Sequence, residues 1–181
     1  GTRRTFYGSK GSTIEKFNIG YQHQHNWNYD PFVKGKKPLD WRSYPTFSFN
    51  FKGGWGLNTF IWYESFGFSE SSYQNHYYKD GEQYKPFERR NAIMNLGFMT
   101  TLQFPQLETF SGSIKYGYGK DPNYQEWAPG LIDLIEMKLF WNPTDQLRVN
   151  FRLNQQKNTR PDNRGVVSSA TVPRLKVEYQ L

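Results

Sequence analysis

Cysteine is absent from the 181 residues, which removes disulfides, thiolate zinc sites and thiol nucleophiles. Long apolar runs are absent too: no stretch of about 18 hydrophobic residues occurs, so no transmembrane helix is encoded. Mean hydropathy is -0.86. Leu, Ile and Val are sparse for a chain that would fill a soluble core of this size. Helical periodicity is missing throughout, and neither G-x-S-x-G nor H-E-x-x-H is present. Lys and Arg outnumber Asp and Glu by 23 to 16, for a net charge of +7, yet they form no dense basic run, and a nucleic-acid partner is not expected.

Aromatic residues are abundant. Tyr, Phe and Trp number 13, 15 and 6, or 19% of the chain. They recur in alternating stretches. In residues 146–156, Leu147, Val149, Phe151 and Leu153 alternate with Arg148, Asn150, Arg152 and Asn154. Successive side chains of a strand leave opposite faces, so this is a strand with one apolar face and one wet, cationic face. Phe17, Ile19 and Tyr21 repeat the pattern, as do Phe47, Phe49 and Phe51. So do Ala92, Met94, Leu96, Phe98, Leu102 and Phe104; Phe110, Ile114, Tyr116 and Tyr118; Ile135, Met137, Leu139 and Trp141; and Leu175, Val177, Tyr179 and Leu181. About eight to nine strands are visible, many of roughly 11 to 14 residues, whereas soluble strands run to about 5 to 6 and a tilted strand crossing a bilayer needs about 9 to 11.

The connections carry a rhythm. "GGWG", "PQL" and "NPTD" are short, and the segments near 28–44, 69–90, 119–129 and 157–168 are long and polar. Trp55 and Trp141 sit by short turns, and Trp27, Trp41 and Trp127 by long loops, giving an aromatic belt at each end. Lipid-embedded barrels have this construction: alternating strands, tight periplasmic turns and longer extracellular loops. The expectation is therefore an all-β, antiparallel up-and-down transmembrane β-barrel over residues 1–181, placed in the bacterial outer membrane against its lipid. "RRTFYG" at one end and "RLKVEYQL" at the other both read as strands, so an interior segment of a larger barrel is expected, with further barrel strands as partners. The alternative architecture is a soluble β-sandwich that binds carbohydrate through its aromatics.

"VPRLKVEYQL" and "LFWNPTDQLRVNFRLNQQ" resemble the later part of an uncharacterised bacterial outer-membrane barrel family, in which an N-terminal module like carbohydrate-binding sandwiches precedes the barrel. Pro173, Arg174, Leu175, Lys176, Glu178 and Tyr179 carry the resemblance, with Trp141, Pro143 and Thr144. It covers residues 130–181; the rest matches in pattern only. The alternating faces, long strands and loop rhythm point to a channel or surface scaffold; the resemblance implies a tie to carbohydrate binding or uptake, with the sugar-binding module and early strands as absent partners. It supplies no catalytic residues and no cofactor.

Four groups of candidate residues follow. Lys16, Lys52, Lys115, Lys138, Arg148, Arg152, Arg174 and Lys176, with Glu64, Glu136 and Glu178, fall on the polar face. They would line a cationic lumen that draws anionic solutes, or would pair across strands and plug it. Trp27 and Tyr29, with Tyr73, Tyr77 and Tyr78, mix flat rings with Asn28, Asp30, Asn75 and His76, a composition suited to stacking sugar rings. His23 and His25 lie two apart on one strand face, which suits a metal pair or the general base of an outer-membrane hydrolase acting on lipid or glycan; the bland reading is belt residues. A hydrolase also needs a neighbouring nucleophile, and no local motif provides one. Glu64 and Glu136 suit glycoside hydrolysis only at a defined separation. "DPNYQEW" and "RPDNRG" lack the spaced acids of a calcium loop, so no metal and no cofactor is expected.

Overall fold

The computed structural model describes residues 1–27, 29–35, 38–67, 77–80, 82–86, 92–125 and 128–180. Nine strands form one antiparallel sheet in chain order: β1 (Thr2–Tyr7), β2 (Ile14–Asn26), β3 (Asp40–Phe51), β4 (Trp55–Phe66), β7 (Ile93–Gln103), β8 (Phe110–Asn123), β9 (Ala128–Trp141), β10 (Leu147–Thr159) and β11 (Val166–Tyr179). Between β4 and β7 lies a two-stranded hairpin of β5 (Tyr77–Asp80) and β6 (Gln83–Pro86). The only described helix is α1 (Tyr29–Val33), five residues long and too short to cross a membrane. The up-and-down, all-antiparallel topology agrees with the alternating sequence pattern. The sheet is open: β1 and β11 pair on one side only and form its two edges.

β2 to β4 and β7 to β11 run 11 to 14 residues each. At the β3–β4 turn, Gly53 (φ 86°) and Gly54 (φ 84°) take the left-handed conformation that glycine adopts without a Cβ clash. At the β9–β10 turn the Leu147 amide donates to Thr144 Oγ1 at 3.1 Å.

Two expected long loops are corrected. β8 continues to Asn123 and β9 begins at Ala128, so most of 119–129 is strand; β10 continues to Thr159 and β11 begins at Val166, so half of 157–168 is strand as well. Gly119, Pro122, Pro129 and Gly130 suggest a loop by composition, yet Pro122 sits opposite Pro129 and Asp121 opposite Gly130. The missing proline N–H groups cost little there. The ladder from β7 to β8 ends at Gly97–Gly119, and the ladder from β10 to β9 ends at Leu131–Thr159, so neither proline faces a strand that needs its donor. Long connections remain only between β2 and β3 and between β4 and β7, and the short-long beat holds only for the first half of the chain.

No layer of described structure packs on either face. Extensive contacts join ladder neighbours only, apart from a close approach of β7 to β9 within 8 Å, nearer than the roughly 9.5 Å that separates alternate strands in a flat sheet. The sheet therefore curls. Its registers put Asn18, Trp62, Glu64, Asn95 and Asn123 on one face, and all five are buried. Ser43, Ser65 and Leu131 are buried on the other face, but most buried strand side chains are on this one, and burial without a covering layer of described structure makes it the concave face. Among the described residues only Trp62, Ile93 and Leu131 are buried apolar side chains, so no hydrophobic core exists of the kind a soluble domain builds.

Candidate functional site

The ladders fix which side chains share a face. Following the pairs Tyr7↔Lys16, Lys16↔Asn50, Gly56↔Asn50, Gly56↔Gln103, Gln103↔Ser113, Ser113↔Lys138, Lys138↔Arg152 and Arg152↔Arg174 crosses the whole sheet on the concave face. Lys16, Glu64, Lys115, Glu136, Lys138, Arg148, Arg152, Arg174, Lys176 and Glu178 all belong to it by register. Lys52 lies in the β3–β4 turn, where its amide donates to the Thr13 carbonyl. Some of these charges pair. Lys115 Nζ stands 2.8 Å from Glu136 Oε2, and Lys176 Nζ 2.8 Å from Glu178 Oε1. Lys138, Arg152 and Arg174 stand side by side in one row across β9, β10 and β11, and no described carboxylate makes an ion pair with them. Like charges set directly opposite repel, so this row raises the local positive potential at a cost in stability.

Near the β4–β7 end the concave face carries a buried polar cluster. Glu64 accepts from Tyr44 Oη at 3.2 Å and from Asn95 Nδ2 at 3.2 Å. The Arg42 guanidinium stands 3.8 Å from Glu64 and 3.9 Å from Asp40. Asn95 is wholly buried, and its Oδ1 has no hydrogen-bond partner among the described residues. Glu64 and Asp121 both line a small cavity of about 240 Å³, floored by Trp62, Gly117, Ile132 and Leu134. Trp62 lies over Gly97, where a Cβ would overlap the indole, and its Nε1 donates to the Lys120 carbonyl at 2.8 Å. That carbonyl lies just past the end of the β7–β8 ladder, so the indole satisfies a group the ladder leaves behind. Glu64 is a candidate from the sequence; Arg42, Tyr44, Asn95 and Asp121 join it only in the structure. Their sequence signal was the polar alternation itself, which does not separate a buried network from a wet wall. Glu136 is engaged by Lys115 and is absent from the cavity lining, so the carboxylate pair proposed for glycoside hydrolysis is not assembled there.

The convex face carries Phe17, Ile19, Phe47, Phe49, Leu57, Ile61, Leu96, Phe98, Leu102, Ile114, Met137, Leu139, Val149, Phe151, Leu153, Leu175 and Val177. Leu175 is 67% exposed and Leu96 56%. Nearly every exposed large apolar side chain of the nine strands is on this side; Tyr7 and Val172 are the exceptions. Trp55 and Trp141 border the band at one end, with the Trp55 ring edge-on to Phe104 at 5.5 Å. Tyr21, Trp41 and Tyr63 border it at the other, with Trp41 edge-on to Tyr63 at 5.0 Å.

The loop aromatics do not gather into one described site. Trp27 packs edge-on against Phe32 at 5.6 Å and beside His25 at 5.2 Å, and Tyr29 is exposed. Tyr73 and Trp127 lie outside the described residues, and Tyr77 and Tyr78 are described by their backbone alone, in β5.

His23 and His25 are on the convex face beside the Trp41–Tyr63 border. His23 Nδ1 is 2.7 Å from Ser43 Oγ, and His23 Nε2 is 2.7 Å from His25 Nε2. Tyr21 Oη is 3.2 Å from the same serine oxygen. Ser43 comes from the paired position on β3, so the neighbouring strand brings a serine hydroxyl beside the imidazole, which no local motif had done.

No known protein family, curated protein or solved structure matches this chain.

Proposed function

We propose that this chain is a wall of a bacterial outer-membrane β-barrel, with its convex face against acyl chains and its concave, cationic face lining a hydrated interior that favours anionic solutes. One observation carries the reading: a continuous apolar face is exposed, no described residue covers it, and the opposite face buries polar side chains. In water that face would be a large aggregation-prone patch; in lipid it is solvated. From Trp55 to Tyr63 the outward run on β4 spans nine residues. At about 3.3 Å per residue and a tilt near 40–45°, that is roughly 20 Å of height, close to the roughly 25 Å apolar band of such barrels. The row of Lys138, Arg152 and Arg174 supports preference for anions. A link to carbohydrate uptake rests on the resemblance of residues 130–181 alone. Both edges, β1 and β11, need strand partners in a bilayer, because an unpaired edge in hydrocarbon leaves amides unsatisfied.

The test is reconstitution. The full chain should partition into detergent micelles, migrate on gels in a heat-modifiable way, and give anion-selective conductance in planar bilayers. A water-soluble monomer without detergent refutes the membrane reading. Membrane insertion without conductance leaves a scaffold and removes the channel.

A further inference from the structure

We infer that Ser43, His23 and His25 form an esterase site on the convex face, acting on acyl esters of amphiphiles. The geometry is that of nucleophile, base and orienting group in series: Ser43 Oγ to His23 Nδ1 is 2.7 Å, and His23 Nε2 to His25 Nε2 is 2.7 Å. Both lie within the roughly 2.6–3.2 Å that proton transfer needs. The second contact also tells against a shared metal. Two imidazole nitrogens on a tetrahedral zinc, each about 2.05 Å from the ion, stand about 3.3 Å apart. At 2.7 Å the two rings share a proton.

The chain of bonds has a self-consistent proton arrangement. Ser43 donates to His23 Nδ1; His23 carries its proton on Nε2 and donates it to His25 Nε2; His25 carries its own on Nδ1. This is the tautomer that leaves the serine hydroxyl facing a free base. In the reaction, Ser43 Oγ bonds to the ester carbonyl carbon and its proton passes to His23 Nδ1. The carbonyl π pair moves to oxygen, and the imidazolium is held by its Nε2–H bond to His25. The tetrahedral adduct collapses, the C–O bond to the alcohol breaks, and the alcohol leaves with the proton from His23. Water then attacks acyl-Ser43 with His23 as base, releasing the carboxylic acid and restoring the serine. No oxidant, metal or second co-reactant is required.

Two placements define the substrate. Ser43 pairs with Tyr63, and Tyr63 with Leu96, so the serine sits at the border where the apolar band meets the aromatic rings of Tyr21, Trp41 and Tyr63. In a bilayer that border is the interfacial level favoured by amphipathic rings, with acyl chains on one side and polar headgroups on the other, as an ester of an amphiphile requires. Ser43 is 8% exposed, so the site requires the Tyr21 phenol, 3.2 Å from Oγ, to move aside before an ester carbonyl can reach the hydroxyl. The choice of a lipid ester rests on the outer-membrane reading; the serine–histidine array itself does not.

The experiment uses the full chain in detergent, with a fluorophosphonate probe, p-nitrophenyl butyrate and mixed micelles of phosphatidylethanolamine. A fluorophosphonate adduct on Ser43, mapped by mass spectrometry, is expected. Ser43→Ala and His23→Ala should each lower kcat/KM for the butyrate at least about a hundredfold. His25 is a positioning residue: His25→Phe should lower kcat about tenfold or more with KM unchanged, and His25→Gln, whose amide oxygen accepts the same bond, should recover part of the loss. Labelling needs no variant, so it decides the matter even where Ser43→Ala does not fold: no adduct on Ser43 overturns the site. Butyrate turnover without phospholipid turnover keeps the catalytic array and overturns the lipid substrate. Heat-modifiable migration, read separately, reports on the membrane reading.

Discussion

Phe151→Arg separates lipid from water as the medium of the convex face. Phe151 stands in the middle of the apolar run on β10, opposite Leu139 on β9 and Leu175 on β11. Its replacement puts a guanidinium among three strands of apolar side chains. If that face meets acyl tails near the bilayer midplane, the cost is about 2–4 kcal/mol, or roughly thirty- to several-hundredfold in the folded-to-unfolded ratio. Gln155 provides the internal control. It is on the same face of the same strand, four residues on and next to the level where Lys157 opposes Asp133. Gln155→Arg should cost only about 0–1 kcal/mol, because the penalty falls off toward the interface. The assay is urea unfolding from phospholipid vesicles, followed by tryptophan fluorescence, with both variants compared to the unaltered chain. Equal costs at 151 and 155 would refute the depth argument. A Phe151→Arg chain that folds without detergent would refute the lipid-facing assignment altogether.

Two further outcomes follow from the concave face. Gly97→Ala should destabilise by about 1–3 kcal/mol, since its Cβ overlaps the Trp62 ring, and Trp62→Phe in the same chain should relieve part of that cost, so the double variant falls short of the sum in urea unfolding. Arg152→Glu should stabilise the sheet by up to about 1 kcal/mol by breaking the Lys138–Arg152–Arg174 row, while shifting the reversal potential of reconstituted channels toward lower anion preference; an unchanged reversal potential would remove that row from the conduction path.

The sheet was legible in the sequence because the strand period is short and strict. Leu147, Val149, Phe151 and Leu153 against Arg148, Asn150 and Arg152 needed no tertiary information to reveal two faces. Element ends were less legible. Gly119, Pro122, Pro129 and Gly130 carry turn chemistry, and only the absence of a facing strand beyond Gly119 and Leu131 makes them affordable inside β8 and β9. Pro45 is a similar case. It stands in an interior strand, and the β3–β4 ladder is interrupted between Ser43–Tyr63 and Thr46–Phe60, so the proline is tolerated where pairing is already broken. The candidate sites depended on strand pairing, which one sequence does not print. His23 and Ser43 are 20 residues apart, and Glu64 and Asn95 are 31 apart. Each pair meets only because β2 faces β3, and β4 faces β7, in one particular register. A register slip of one residue would send Ser43 to the concave face and dissolve the array.

The same register explains why the two sites lie back to back. Ser43, Tyr63 and Leu96 form one row on the convex face; their chain neighbours Arg42 and Tyr44, Glu64, and Asn95 form the buried network on the concave face. A serine on an isolated, exposed strand would wander with the backbone and hold no fixed distance to its base. Here the strands that carry Ser43 and Tyr63 are tied from behind by the bonds of Glu64 to Tyr44 and Asn95 and by the Arg42 guanidinium beside Asp40. Buried hydrogen bonds to a carboxylate are worth more than neutral ones and fix geometry as well as energy. The network therefore acts as the rigid backing of the convex site. Weakening it should loosen the Ser43–His23 contact without touching either residue, since the wall between the two faces is one peptide layer thick.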